Sequence, residues 1–84
     1  MLIKWSQAAA RDTLRLSCLT NFVADSEFRS VDHMAWMLNE IVNSDWHAKQ
    51  VEIHHWLGWA QAGLVMHYVM TRKQIEQINS KAHA

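Results

Sequence analysis

The chain has no proline and only two glycines, Gly58 and Gly63, in 84 residues. A small all-β domain reverses its chain every few residues, and those turns rely on glycine, proline and Asn or Asp in special backbone conformations. A chain almost stripped of both glycine and proline is directed toward long helices. Half of its residues are hydrophobic, which argues against disorder. The length confines residues 1–84 to one domain. The expected fold is therefore an all-α bundle of about four helices. A domain of this size buries only about 60–65% of its unfolded surface, so self-association would add to a small core.

Apolar periodicity places the helices. The first is expected from about Trp5 or Ser6 to about Ala24. Trp5, Ala9, Asp12, Leu16, Leu19 and Val23 recur at helical spacing, and Leu14, Cys18 and Phe22 form a second row. Residues Asp25 to Arg29 are polar or charged except Phe28 and read as a connection. Ser30 is an N-cap for the second helix, and Asp32 follows in its first turn, where the helix dipole favours a negative charge. Val31, Met34, Ala35, Leu38, Ile41 and Val42 then give the cleanest stripe in the chain. Asn43, Ser44 and Asp45 end it and cap the third helix.

The third helix is expected from about Trp46 to Met70 and forms the spine of the bundle. Ile53, Leu57, Ala60, Leu64 and His67 make one row, and Trp56, Trp59, Gly63, Met66 and Met70 another. A helix apolar nearly all round reads as buried on several sides. Glycine inside a helix costs about 1 kcal/mol relative to alanine. Gly58 and Gly63 are thus expected where a neighbouring helix comes close, unless one of them breaks the helix. Thr71 and Gln74 have the spacing of a capping box. A short fourth helix follows, with Ile75 and Ile78 as its apolar edge, an end at Asn79 and Ser80, and a frayed Lys81–Ala84 tail.

Several function classes are disfavoured by the same residues. Cys18 is the only cysteine, so an internal disulfide is impossible and a reducing, cytoplasmic setting is expected. Lying in an apolar row, Cys18 reads as a small core residue. Residues 1–6 lack the apolar core of a signal peptide. The most apolar run, Trp56 to Met70, is 15 residues, short of the ~20 that span a bilayer. No glycine-rich phosphate loop, nucleophile elbow or positioned carboxylate pair is visible, so neither enzymatic activity nor a cofactor is expected.

Five tryptophans, Trp5, Trp36, Trp46, Trp56 and Trp59, are more than so small a core hides, and tryptophan is enriched at binding hot spots. Trp36 and Met37 lie beside the main stripe of the second helix and are the expected protein-binding residues. Charge is zero overall but runs +2 over residues 1–24, −4 over 25–56 and +2 over 57–84. Asp32 and Glu40 extend the proposed surface as an acidic face for a basic partner. Trp56, Trp59, Gly58, Gly63 and Gln61 are expected in helix packing or a homodimer interface, with Gln61 bonded to a loop backbone or a symmetry mate. Arg11, Arg15, Arg72 and Lys73 are the candidates for phosphate contact if the chain binds nucleic acid, which its neutral charge disfavours. None of the six histidines stands four residues from another, the spacing expected of two zinc ligands on one helix. Most read as polar surface or as hydrogen-bonded partners on a wet helix face. Glu52 and His55 do form one Glu-x-x-His motif, which with Glu40 leaves a dimeric metal-carboxylate bundle as an alternative.

The segment His55-Trp56-Leu57-Gly58-Trp59-Ala60-Gln61-Ala62-Gly63-Leu64, with His33 to Leu38 upstream and Thr71 to Asn79 downstream, resembles small uncharacterised accessory proteins of bacteriophages and prophages. Those share a Trp-Leu-Gly-x-x-Gln-x-x-Leu helix followed by a capped short helix. The resemblance covers roughly residues 33–79 and carries no catalytic residue across. It implies a mobile-element protein acting in the bacterial cytoplasm by binding a host protein or complex. Inhibition or redirection of that complex is then expected, with anti-CRISPR or other counter-defence activity as its sharpest form. A small DNA-binding regulator is the alternative.

Overall fold

A computed structural model describes residues 2–43 and 50–83, with side chains from 5 to 43 and from 51 to 83. Four helices form an all-α bundle: α1 (Leu2–Ser17), α2 (Val31–Asn43), α3 (Gln50–Met66) and α4 (Arg72–His83). α3 is the longest, α2 packs most extensively against it, and α1 touches all three of the others. The core is built from Met34, Leu38 and Ile41 of α2, Ile53, Leu57, Ala60 and Leu64 of α3, Ala9 and Ala10 of α1, and Ile78 of α4.

The first helix starts earlier and ends earlier than its periodicity predicts. α1 stops at Ser17, and Leu19, Phe22 and Val23 belong to the irregular connection to α2 instead. Cys18 takes a left-handed conformation (φ 59°) and donates its N–H to the Leu14 carbonyl, a C-terminal αL cap. Thr20 and Asn21 beyond it are weak helix formers. Cys18 is exposed, not a core residue. The stripe that α1 buries is made of small residues, Ser6, Ala9, Ala10 and Thr13, while Leu16 is exposed. Small side chains let one helix lie close to three others.

α2 follows its sequence pattern. Ser30 Oγ accepts the His33 N–H at 3.0 Å, the N-cap bond, and Met34, Ala35, Leu38 and Ile41 are buried. At its other end, Gln7 Nε2 of α1 donates to the carbonyls of Ile41 and Val42, which have no acceptor role left inside the helix. The expected cap at Ser44 and Asp45 and the expected helix start at Trp46 fall outside the described residues, as do the side chains of Trp46 and His47.

α3 ends at Met66, four residues before the predicted boundary, in a Schellman motif. Val69 N–H bonds Leu64 O at 2.9 Å, and Tyr68 N–H bonds Val65 O at 3.0 Å. Tyr68 (φ 60°) fills the left-handed position usually given to glycine. Ile53, Leu57, Ala60 and Leu64 are buried as one row, but His67 is exposed beyond the helix end. The helix is not buried on all sides: Val51, Gly58, Trp59, Ala62 and Met66 leave an exposed edge. The two glycines differ. A Cβ on Gly63 would lie 2.6–2.9 Å from the Met34 thioether, so close approach accounts for that position, through a side chain. A Cβ on Gly58 would meet nothing within 4 Å, so the expectation of a crossing helix fails there.

α4 opens with the capping box: Gln74 N–H donates to Thr71 Oγ1 at 3.1 Å, and Thr71 N–H to Gln74 Oε1 at 2.8 Å. It continues through Lys81 to His83 instead of ending at Ser80. The His83 ring packs on Trp5 (centroids 4.1 Å apart), and Ala82 packs on the core, so tertiary contact holds the last turn. Gln61 bonds side chains of other helices and not a loop backbone. It forms a reciprocal amide pair with Asn79 (2.9 and 3.1 Å) and donates to Thr13 Oγ1 (3.2 Å), tying α3 to α4 and α1.

Candidate functional site

An open groove of about 430 Å³ lies between α2, α3 and the turn before α2. His33, Trp36 and Met37 form one wall, His55, Trp56 and Trp59 the other, and Phe28 the lip. No lining side chain is an acid, a lysine or an arginine. Its size falls in the range of small-ligand and side-chain pockets.

Helix register explains the walls. Residues 33, 36 and 37 share one face of α2, and 52, 55, 56 and 59 share one face of α3. The rings form a continuous ladder: Phe28 to His33 5.1 Å edge-on, His33 to Trp36 5.3 Å, and Trp36 to Trp56 5.6 Å between centroids. Offset and tilted contacts of this kind are favourable beyond the area they bury.

The lip is a short turn organised by Asp25. Its carboxylate accepts the N–H of Glu27 at 2.8 Å, the N–H of Ser30 at 3.1 Å and the Ser30 hydroxyl. The Ser30 hydroxyl, with the backbone N–H groups of Ser30, Glu27 and Arg29, holds this carboxyl well below the usual range and outweighs the opposing effect of burial. The turn puts Phe28 in a left-handed conformation (φ 58°) beside His33. Two bonds fasten it to the α3 side: Trp59 Nε1 donates to Phe28 O at 3.1 Å, and His67 Nε2 donates to Arg29 O at 2.6 Å.

His33 is 2% exposed, contrary to its reading as polar surface. Its Nδ1 accepts the Asp25 N–H at 3.0 Å, so the neutral ring carries its proton on Nε2. That N–H has no acceptor among the described residues. Trp5 Nε1 is the sole fully buried side-chain polar atom among them left without a partner. Trp36 Nε1, on a half-buried ring, likewise has no acceptor among the described residues.

The sequence candidates are thus redistributed. Trp36 and Met37 do line the groove, although Met37 is 6% exposed and belongs to the core as well. Trp56 and Trp59, expected in helix packing or a dimer, form the facing wall. Asp32 and Glu40 do not line it but occupy the same half-buried edge of α2 as Trp36, one turn to either side. Gly63 and Gln61 are internal, and Gly58 is exposed. Of the proposed phosphate contacts, Arg15 pairs with Asp12 (3.6 Å) and Arg72 with Glu76 (3.1 Å). Glu40, Glu52 and His55 are not gathered: among the described residues no three His, Cys, Asp or Glu side chains form a metal-sized cluster. Phe28, His33 and His55 were the lining residues that periodicity missed. Phe28, the lone apolar residue of a polar connection, was the signal available for the lip. No described helix is long and apolar enough to cross a membrane.

The chain matches no protein-family model, no curated protein and no solved structure.

Proposed function

We propose that this chain is a non-enzymatic interaction module whose aromatic groove captures an apolar segment of another protein. The observation that carries the reading is the groove itself: three tryptophans, a phenylalanine, a methionine and two histidines line an open apolar slot. Tryptophan in a pre-formed pocket is the usual anchor of binding energy. The ring ladder and the Asp25-centred turn hold that pocket in shape before a partner arrives, which lowers the ordering cost of association. The resemblance of residues 33–79 to phage and prophage accessory proteins supports a host protein as the partner. Inhibition or redirection of a host complex, including counter-defence, is the outcome that reading implies. A homodimer fits the same account through the outer edge of α3, where Val51 and Met66 are 69% and 78% exposed and Gly58 and Ala62 leave room between them.

The test is affinity capture from bacterial lysate by the wild-type chain and by Trp36→Ala and Trp59→Ala, each checked for unchanged helical circular dichroism. Captured polypeptides are truncated to the segment that shifts the indole resonances of Trp36, Trp56 and Trp59. The expected result is specific capture lost by at least about tenfold in both variants. Equal capture by wild type and variants removes the groove as the binding surface.

A further inference from the structure

The two helices that wall the groove carry charge of one sign. Neither α2 nor α3 contains a lysine or arginine, and their carboxylates are Asp32, Glu40 and Glu52. The cations with described side chains sit on α1 and α4, apart from Arg29, which shares the lip turn with Glu27.

Helix register brings two of these carboxylates to one place. α2 and α3 run antiparallel: Met34 meets Gly63, while Trp36, later in α2, meets Trp56, earlier in α3. Glu40 follows Trp36 by four residues, and Glu52 precedes Trp56 by four. Both therefore lie one turn beyond the Trp36–Trp56 contact, at the same end of the groove. Neither has an ion-pair or side-chain hydrogen-bond partner among the described residues, where Arg15 is taken by Asp12 and Arg72 by Glu76. Two like charges at one end of an apolar slot repel each other, and a cation placed between them removes that repulsion.

The slot favours one kind of cation. Aromatic ring faces carry the negative part of their quadrupole and attract positive charge. Trp36 and Trp56 are half-buried and inclined at 40°, so neither ring fully covers the other. Trp59 is exposed with its Nε1 already bonded to Phe28 O, so the surface it offers is ring carbon, suited to a hydrocarbon stem. The lining itself holds no acid. A lysine ammonium, a strongly hydrated point charge, would lose its water there without a partner. A guanidinium is planar, more weakly hydrated and stacks on indole, and its in-plane N–H groups can reach carboxylates at the end of the slot. A trimethylated ammonium would also stack but brings no N–H for Glu40 or Glu52 to accept. A neutral anchor such as leucine would leave the two charges unrelieved.

Resting on the reading of the groove as a docking site, we infer that the captured segment carries an arginine, its stem along Trp59, its guanidinium against Trp36 and Trp56, and its N–H groups donated to Glu40 and Glu52. The test titrates the blocked amino-acid amides of arginine, lysine and leucine into isotope-labelled protein and follows the tryptophan indole resonances. The arginine derivative is expected to shift Trp36 and Trp56 at millimolar concentration and to bind at least about fivefold more tightly than the other two. Glu40→Gln combined with Glu52→Gln should abolish that preference and weaken host capture at least about fivefold, with circular dichroism unchanged. Equally tight binding of the lysine or leucine derivative overturns the inference and leaves the docking reading standing. An arginine preference that survives both glutamate substitutions does the same. Failure of all three derivatives, with host capture still abolished by Trp36→Ala, overturns the arginine anchor alone. Failure of all three with host capture untouched by Trp36→Ala overturns both.

Discussion

Gln61→Leu tests how this small bundle is held at its centre. Gln61 is 4% exposed and makes three side-chain hydrogen bonds, two with Asn79 and one with Thr13. A leucine of similar length forfeits all three, each worth about 1 kcal/mol net. Asn79 also loses both of its amide partners, but it is half-buried, so water recovers part of that loss and the residual is about 1 kcal/mol. Thr13 still donates to the Ala9 carbonyl at 2.7 Å, so its hydroxyl proton is not orphaned. Against this, burying leucine in place of an amide returns about 2 kcal/mol. The expected net cost is about 2 kcal/mol, measured by urea denaturation followed by circular dichroism. A domain of this size has roughly 4–12 kcal/mol to lose, so the variant folds and the difference is measurable. Leucine at both 61 and 79 removes the orphan as well as the bond. The double variant should therefore cost at least about 1 kcal/mol less than the sum of the single ones. A Gln61→Leu cost below about 0.5 kcal/mol, or strict additivity, would refute the argument that the amide pair is a coupled, structure-bearing contact.

Three further outcomes follow from single residues. Tyr68 is 95% exposed and sits at φ 60°, so Tyr68→Gly removes backbone strain without removing packing; thermal melts should show stabilisation of about 1 kcal/mol, and an unchanged or lower Tm would mean that the tyrosine makes contacts of its own. Gly58→Ala should add about 0.5–1 kcal/mol to the isolated chain, since nothing stands within 4 Å of the new methyl; destabilisation that grows with protein concentration would show instead that a second copy packs on Gly58. The Asp25 carboxyl is held below its usual range in the folded chain, so its contribution is complete above the ordinary carboxylate pKa of about 4 and is lost as pH falls through the lower folded value. Amide exchange at Glu27 and Ser30 should therefore stay protected through mildly acidic pH in the wild type and become fast at every pH in Asp25→Ala; equal protection in the two proteins would show that Asp25 does not organise the lip.

The sequence was most readable where one local signal and one apolar stripe agreed. Ser30 with the α2 stripe, and Thr71 with Gln74, each combine a cap that satisfies orphan N–H groups with a face that buries, and both helices start where those signals place them. Reading failed where a stripe continued past a stop that only the backbone reveals. Leu19 and Val23 keep the period of α1, yet Cys18 caps the helix, and the chain beyond it is recruited to build the lip. Neither left-handed end could be foreseen, because cysteine and tyrosine stand where glycine is the usual signal.

The all-helical class was settled by the sequence alone, because missing glycine and proline act locally on every residue that would have to turn. So was the surplus of tryptophan that made an interaction surface the expected outcome. Which tryptophans share that surface was decided only in three dimensions. Trp36 and Trp56 are twenty residues apart in the chain, and packing of α2 on α3 brings their rings to 5.6 Å. The tautomer of His33 has the same origin. A histidine in a sequence carries no preferred proton position, and here the Asp25 N–H occupies Nδ1, leaving the ring proton on Nε2.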